Sequence, residues 1–208
     1  MENQKSHWEN VFATKSPNEV SWTQKYPKTS MEYIENLKLS KTANIIDVGG
    51  GDSNLVDVLL EKGYENIWVL DISEFALERV KKRLGNKADK VHWVVSDITE
   101  FDPDVTFDFW HDRAVFHFLT NQESINKYVD TIGNAINQNG HFLLGTFSEN
   151  GPLKCSGLEI KQYSENEMKN TFSENFVAIQ CFTENHTTPF NTTQNFQFCE
   201  FRKNNSQQ

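Results

Sequence analysis

Apolar residues along this chain follow two rhythms that take turns. Ile45, Ile46 and Val48, then Ile67 to Leu70, Val91 with Trp93 to Val95, Phe107 with Phe109 and Trp110, and Phe142 to Leu144 are short, nearly unbroken runs. They read as strands covered on both faces, because such strands lose the usual alternation. Between them, Leu55, Val58 and Leu59, then Leu77, Val80 and Leu84, then Ile125, Val129, Ile132 and Ile136 recur at helical spacing. Gly63 and Gly85 close the first two of these helices. Thr120-Asn-Gln-Glu123 reads as a capping box for the third, and Ser164-Glu-Asn-Glu167 opens a shorter helix carrying Met168 and Phe172. Strand and helix in alternation predict an α/β fold: a doubly wound parallel sheet with helices on both faces and right-handed crossovers.

Both ends of the chain depart from that alternation. Phe176 to Phe182 and Phe196 to Phe201 are strand-like and joined only by the loop Thr183 to Gln194, which contains Pro189. Two strands joined without a helix are most simply antiparallel. At the other end, Trp8, Phe12, Trp22, Tyr26 and Tyr33 are too many aromatics for a disordered leader. Thr29-Ser-Met-Glu32 reads as a capping box for a helix through Leu37, after turns at Pro17 and Pro27. The organisation expected is one domain over 1–208, with residues 1–40 as an N-terminal helical lid, 41–203 as the core and 204–208 as a frayed polar tail.

Composition narrows the partners. At 208 residues the chain can bury one full α/β core. Its formal net charge is −9 and its only short basic run is Lys81-Lys82-Arg83, so a nucleic-acid partner is not expected. No apolar run reaches the roughly 18 residues of a membrane span, and the N-terminus lacks the apolar region of a signal peptide. A cytoplasmic location away from membranes is the expectation, and the absence of a large apolar surface segment favours a monomer. Cys155, Cys181 and Cys199 lack metal-ligand spacing and are expected as reduced thiols.

The candidate chemistry begins at Asn44-Ile-Ile-Asp-Val-Gly-Gly-Gly-Asp-Ser53, an apolar strand, an acid and a glycine turn placed before a helix. Glycines there let the backbone approach a ligand at a distance that a Cβ would block. A dinucleotide fingerprint needs Gly-x-Gly-x-x-Gly, but here the third position is Asn54, and no P-loop Lys and Ser/Thr follow. A second strand ends in Asp71, 24 residues after Asp47, where a carboxylate can accept both hydroxyls of a ribose. A third ends in Asp97. Each acid also has a plain structural reading: Asp47 can order the turn, Asp71 can cap the next helix, although Ser73 is available for that, and Asp97 can be a solvated loop acid. Trp68 and Trp93 lie inside strands and read as core.

The ordered set Asp47, Gly49, Gly51, Asp71 and Asp97 resembles the class I S-adenosylmethionine-dependent methyltransferases. That resemblance implies a Rossmann-like seven-stranded sheet whose last strand inserts antiparallel beside the fifth. It implies a cofactor, S-adenosylmethionine, held by Asp47, Gly49, Gly50 and Gly51, by Asp71 with Ile72 at the ribose, and by Asp97 with Ile98 at the adenine. The stretch Trp110-His-Asp-Arg-Ala-Val-Phe-His-Phe-Leu119, with His7-Trp8-Glu9, Val20-Ser-Trp22-Thr-Gln24, Thr146-Phe-Ser148 and Cys155-Ser-Gly157, looks like a small single-domain subgroup. The subgroup is distantly similar to thiopurine, tellurite-resistance and elongation-factor lysine methyltransferases. The resemblance puts the N-terminal lid over the acceptor pocket, with Trp8, Trp22, Gln24, His117 and Phe147 as candidate acceptor contacts. It also puts His111 beside both the cofactor and the acceptor.

Methyl transfer is an in-line displacement that needs orientation first and a base only if the acceptor arrives protonated. His111 is the candidate base by its ordinary pKa; Asp112 would hold its tautomer or bind a cationic amine; Arg113 would suit a carboxylate. In the structural alternative Asp112 and Arg113 pair with each other and His117 only packs. No metal is expected. The acceptor is a small molecule or a protein of unread identity, and the alternative function is a non-catalytic protein that binds S-adenosylmethionine or another nucleoside. An NAD-dependent reductase shares Asp71 but fails at Asn54 and in the carboxyl-terminal topology.

Overall fold

The computed structural model describes residues 2–204. Five strands run parallel: β1 (Asn44–Val48), β2 (Asn66–Asp71), β3 (Val91–Val95), β4 (Phe107–Arg113) and β5 (Ile136–Phe147). A two-residue hairpin, β6 (Lys154–Cys155) and β7 (Leu158–Glu159), stands apart from them. The chain then closes with β8 (Phe176–Thr187) and β9 (Thr193–Lys203), and β9 inserts antiparallel between β5 and β8. The main sheet is ordered β3-β2-β1-β4-β5-β9-β8. The order reverses between β1 and β4, and in open α/β sheets ligands bind beyond the strand ends at such a reversal.

Among the described residues six α-helices accompany the sheet: α1 (Glu2–Thr14), α2 (Lys28–Asn36), α3 (Leu55–Glu61), α4 (Glu74–Leu84), α5 (Gln122–Ala135) and α6 (Glu165–Phe172). Strand side chains alternate between two cores. Ile45, Ile67, Phe109 and Leu143 face Met31 and Ile34 of α2, Leu59 of α3 and Leu77 of α4. Ile46, Trp110, Phe142 and Leu144 face Ile132 of α5 and Phe172 of α6. Burial on both sides explains why these strands read as continuous apolar runs.

Several boundaries differ from the sequence expectation, each for a physical reason. β4 continues through Arg113, three residues beyond its apolar portion at Trp110, so His111, Asp112 and Arg113 lie within the strand. The terminal strands also run further than their apolar portions: the hairpin extends to Thr187 and Thr193 through polar pairs such as Asn185 with Asn195, leaving only residues 188–192 as the turn. The cap of α5 is Asn121, whose Oδ1 accepts from the Ser124 amide at 2.9 Å, not Thr120. α2 begins at Lys28 behind Pro27, so Thr29 and Ser30 lie inside the helix and bond elsewhere. Ser164 and Glu167 do form the expected capping box. Cys181 and Cys199 are direct partners across β8 and β9 and form a disulfide, which corrects the expectation of three thiols; Cys155 is free and buried. Asn204 donates its amide to Asn175 O at 2.9 Å, while positions 205–208 of the expected frayed tail lie outside the described residues. Among the described residues, no helix is long and apolar enough to cross a membrane.

Candidate active site

A cavity of about 1380 Å³, counted out to its open mouth, lies beyond the ends of β1, β2 and β4. Its floor is the turn after β1. Gly49 has φ +66, and a Cβ there would fall 1.9 Å from Val115 Cγ2. At Gly51, φ +44, a Cβ would come within 3.0 Å of the Phe12 ring and 3.2 Å of Asp71 Oδ2. Only glycine satisfies both limits at these positions. The amides of Gly49 and Gly50 donate to Leu70 O at 2.7 and 3.1 Å, which ties the turn to the end of β2.

Three acids meet this floor. Asp71 is buried at the end of β2 and accepts from the Ser73 amide at 2.8 Å. Burial pushes its carboxyl up to about 7 against the hydrogen bonds from Ser73 and Gly51. Ser73, rather than Asp71, caps α4 by accepting from the Ala76 amide. Asp97 lines the cavity while its Oδ1 caps the following short turn, accepting from Thr99 N at 2.9 Å and Thr99 Oγ1 at 2.8 Å. Asp47 is 2% exposed; its Oδ1 lies 2.7 Å from His111 Nδ1, and its Oδ2 is buried without a hydrogen-bond partner.

His111 Nε2 in turn lies 2.8 Å from Ser30 Oγ on α2. A carboxylate can only accept, so Nδ1 carries the proton toward Asp47, which leaves Nε2 as the nitrogen that can accept a proton, from the Ser30 side or from the cavity. Asp47, His111 and Ser30 all line the cavity. The alternation of β4 decides what its neighbours do. Arg113 lines the cavity with His111, whereas Asp112 points to the opposite face and lies outside the lining. There Asp112 Oδ1 accepts from the Val115 amide at 2.9 Å and Oδ2 from the Tyr128 hydroxyl at 2.8 Å, and burial raises its carboxyl to about 6.

Arg113 donates Nη1 to Trp22 O at 3.0 Å and stacks over the Phe196 ring at 4.6 Å. Its Nε and Nη2 are buried with no partner. Burial brings its pKa down to about 10, so the guanidinium stays charged near neutrality. His117 is fully buried beside Phe147, accepts from that residue's amide through Nδ1 at 3.3 Å, and is held down to about 3 by burial, with the Arg113 charge adding to the effect. Neither His117 nor Phe147 lines the cavity, because both are enclosed in packing beneath it.

The N-terminal segment forms the roof. Trp8 meets Trp22 at 5.7 Å and Phe118 at 5.2 Å between ring centroids, both edge to face. Trp8, Trp22 and Gln24 all line the cavity. Glu9 anchors α1: it accepts from Ser73 Oγ at 2.7 Å, Glu74 N at 2.9 Å and Phe75 N at 3.1 Å, satisfying the first amides of α4. Arg79 of α4 returns the contact, donating to Phe12 O at 3.0 Å and Lys15 O at 2.9 Å and pairing with Asp52 at 3.1 Å.

Residues 46–142 match the family described as a methyltransferase domain. The mouse eEF1A lysine and N-terminal methyltransferase is 24% identical over 157 residues, which is 71% of this chain and 22% of that protein. Malonyl-[acyl-carrier protein] O-methyltransferase 2 of Ilyobacter polytropus is 24% identical over 139 residues, 66% of this chain and 50% of that protein. The chain thus spans half or less of the length of these curated relatives. The N-methyltransferase NodS of Bradyrhizobium japonicum, solved with S-adenosylhomocysteine, superposes with a TM-score of 0.74 at 16% identity, covering 98% of this chain and 100% of that one. Through that domain the chain is similar to S-adenosylmethionine-dependent methyltransferases, whose fold it shares.

Solved neighbours hold S-adenosylmethionine or S-adenosylhomocysteine, and the cavity floor of this chain fits such a cofactor. The glycine turn has no room for side chains, Asp71 is buried beside it, and Asp47 Oδ2 is an acceptor left without a donor. Asp47, Gly49, Gly50, Gly51, Asp71, Ile72, Asp97 and Ile98 all line the one cavity that also holds His111. The structure therefore gathers these residues with Arg113, Trp8, Trp22 and Gln24, and leaves Asp112, His117 and Phe147 outside. Sequence reasoning missed Ser30, Phe118 and Cys155 in the lining and Glu9 as the anchor of the roof. Ser30 was legible only as part of a supposed cap, and nothing local marks Glu9 as the partner of a helix that begins 65 residues later.

Proposed function

We propose that this protein is a class I S-adenosylmethionine-dependent methyltransferase that moves the methyl group of S-adenosylmethionine onto a nucleophile held between the N-terminal roof and the end of β4, with His111 taking the nucleophile's proton. One observation carries the reading: the hydrogen-bonded series Asp47, His111, Ser30 lines the same cavity as the glycine turn and Asp71. The cofactor supplies a carbon already activated by a sulfonium, so orientation can contribute about 7–11 kcal/mol of the barrier reduction.

In this reading Asp71 accepts the ribose hydroxyls and Asp97 accepts from the adenine amino group beside Ile98. Asp47 fixes the ring of His111, and Nε2 exchanges the Ser30 hydroxyl for the proton of the acceptor. Trp8, Trp22 and Phe118 shed water from the reacting centre. Asp112 serves the strand and its following turn, not the acceptor. The names of the relatives cite an amine of a protein and an acyl group on a carrier protein, so both protein and small-molecule acceptors stay within the proposal.

Incubation with methyl-labelled S-adenosylmethionine and a fractionated lysate tests it. Label entering one protein or small-molecule fraction, with S-adenosylhomocysteine released in equal amount, is the expected result. Tight S-adenosylhomocysteine binding without transfer to any fraction would instead fit a nucleoside-binding regulator.

A further inference from the structure

We propose that the acceptor is an organic anion, gripped through a carboxylate by the Nε and Nη2 edge of Arg113. This rests on the methyltransferase reading for the reaction, but its evidence is the state of one buried side chain. Nε–H and Nη2–H project in parallel from one edge of a guanidinium, the fork that matches two carboxylate oxygens. Those two nitrogens are the ones left without partners, while Nη1 at the other edge is committed to Trp22 O.

No carboxylate among the described residues pairs with the charge directly, although Glu184 and Asp47 lie near enough to favour it and the Phe196 ring stacks under it. Among the described residues Arg113 forms no ion pair: its sequence neighbour Asp112 is turned to the opposite face of the sheet and bound to Val115, Phe116 and Tyr128. Asp47 holds His111, and Glu184 accepts from the Thr29 hydroxyl. Cys155, which lines the cavity near Arg113, is kept a neutral thiol by burial, its pKa raised to about 12, so it is not the counter-ion. A guanidinium with two donors buried and idle is a costly arrangement for a fold that gains nothing from it. Its place in a cavity also lined by Trp22 and Phe118 gives the gain: recognition of an anion whose body is apolar or aromatic.

The anion is a handle rather than the atom methylated. Two hydrogen bonds from a guanidinium withdraw electron density from a carboxylate and make it a poorer nucleophile. Esterification would also remove the charge and leave Arg113 unpaired again in the product. The methylated atom is therefore a second group of the acceptor, within reach of His111 Nε2.

Benzoate and phenylacetate, with benzamide and phenylacetamide as neutral isosteres, test the proposal by calorimetry with and without S-adenosylhomocysteine. At least one carboxylate is expected to bind tenfold or more tightly than its amide. Arg113→Gln should erase that gap, and Arg113→Lys should keep part of it, since one point charge replaces the fork. S-adenosylhomocysteine affinity in both variants should stay within about threefold of wild type, well under the tenfold that about 1.4 kcal/mol represents. Amides binding as well as their carboxylates, no carboxylate binding at all, or a gap that survives in Arg113→Gln would each overturn it. Because the carboxylate and amide comparison uses the unaltered protein, a variant that fails to fold does not remove the test. Failure of S-adenosylhomocysteine to bind would count against the methyltransferase reading, while the arm run without it still scores Arg113.

Discussion

Asp47 Oδ1 and His111 Nδ1 lie 2.7 Å apart on residues that are direct register partners in neighbouring parallel strands. The pairing makes the acid after which the glycine turn begins also the residue that sets the tautomer of the proposed base. His111→Ala is therefore expected to cut methyl transfer by about 10²–10⁴-fold, the usual contribution of a positioned base. S-adenosylhomocysteine affinity should change by only about a few-fold, and Asp47→Asn should lose both turnover and affinity. Single-turnover assays beside calorimetry separate the two effects, and full turnover in His111→Ala would remove the ring from the mechanism.

Asp71 carries an opposite sign from most surface carboxylates. Its folded pKa, about 7, lies above the model-peptide value of 3.8, so the protein without cofactor loses stability as pH rises through that window. Donors from a ribose favour the ionised form, so affinity for S-adenosylhomocysteine should weaken as pH falls below about 7. Asp71→Asn should raise the melting temperature at about pH 8 and weaken S-adenosylhomocysteine at least tenfold. Thermal melts and titrations across pH check both directions.

His117 contributes acid lability. Its folded pKa, about 3, lies below the ordinary 6.5, so the unfolded chain takes up a proton that the folded one refuses. Stability is complete above about 6.5 and declines toward about 3, by up to roughly 1.4 kcal/mol per pH unit. In urea titrations between those limits, His117→Gln should show a shallower decline, and an unchanged slope would place the acid sensitivity elsewhere.

Glu9 ties the roof to the first turn of α4 through three acceptor contacts. Burial opposes its ionisation, but the hydrogen bonds from Ser73, Phe75 and Glu74 outweigh that and lower its pKa. Glu9→Ala should cost about 1–2 kcal/mol, by analogy with lost helix caps. It should also speed tryptic cleavage at Lys15 and weaken S-adenosylhomocysteine, because Trp8 loses its seat. Cleavage rates equal to wild type would show that aromatic packing alone holds α1.

How far the sequence was legible follows from where each piece of information sits. The parallel strands and the glycine turn were readable because burial on both faces and close backbone approach leave local marks, as at Ile45 and Gly49. The sheet's outer hairpin was readable only at its apolar portions, since Asn185 and Asn195 pair as strand residues without any apolar pattern to announce them. Asp112 looked like a partner for the adjacent histidine until the strand was seen to run through Arg113, after which alternation sends it to the opposite face. Contacts set by tertiary docking left no mark: Ser30 on His111, and Cys181 opposite Cys199.

The most direct test of the central claim is a crystal structure with S-adenosylhomocysteine bound. Both ribose hydroxyls are expected on the Asp71 carboxylate, the adenine beside Asp97 and Ile98, and the sulfur directed toward the space between His111 and Trp22. A nucleoside bound elsewhere, or a glycine turn occupied only by water in crystals saturated with it, would show that this cavity is not the cofactor site.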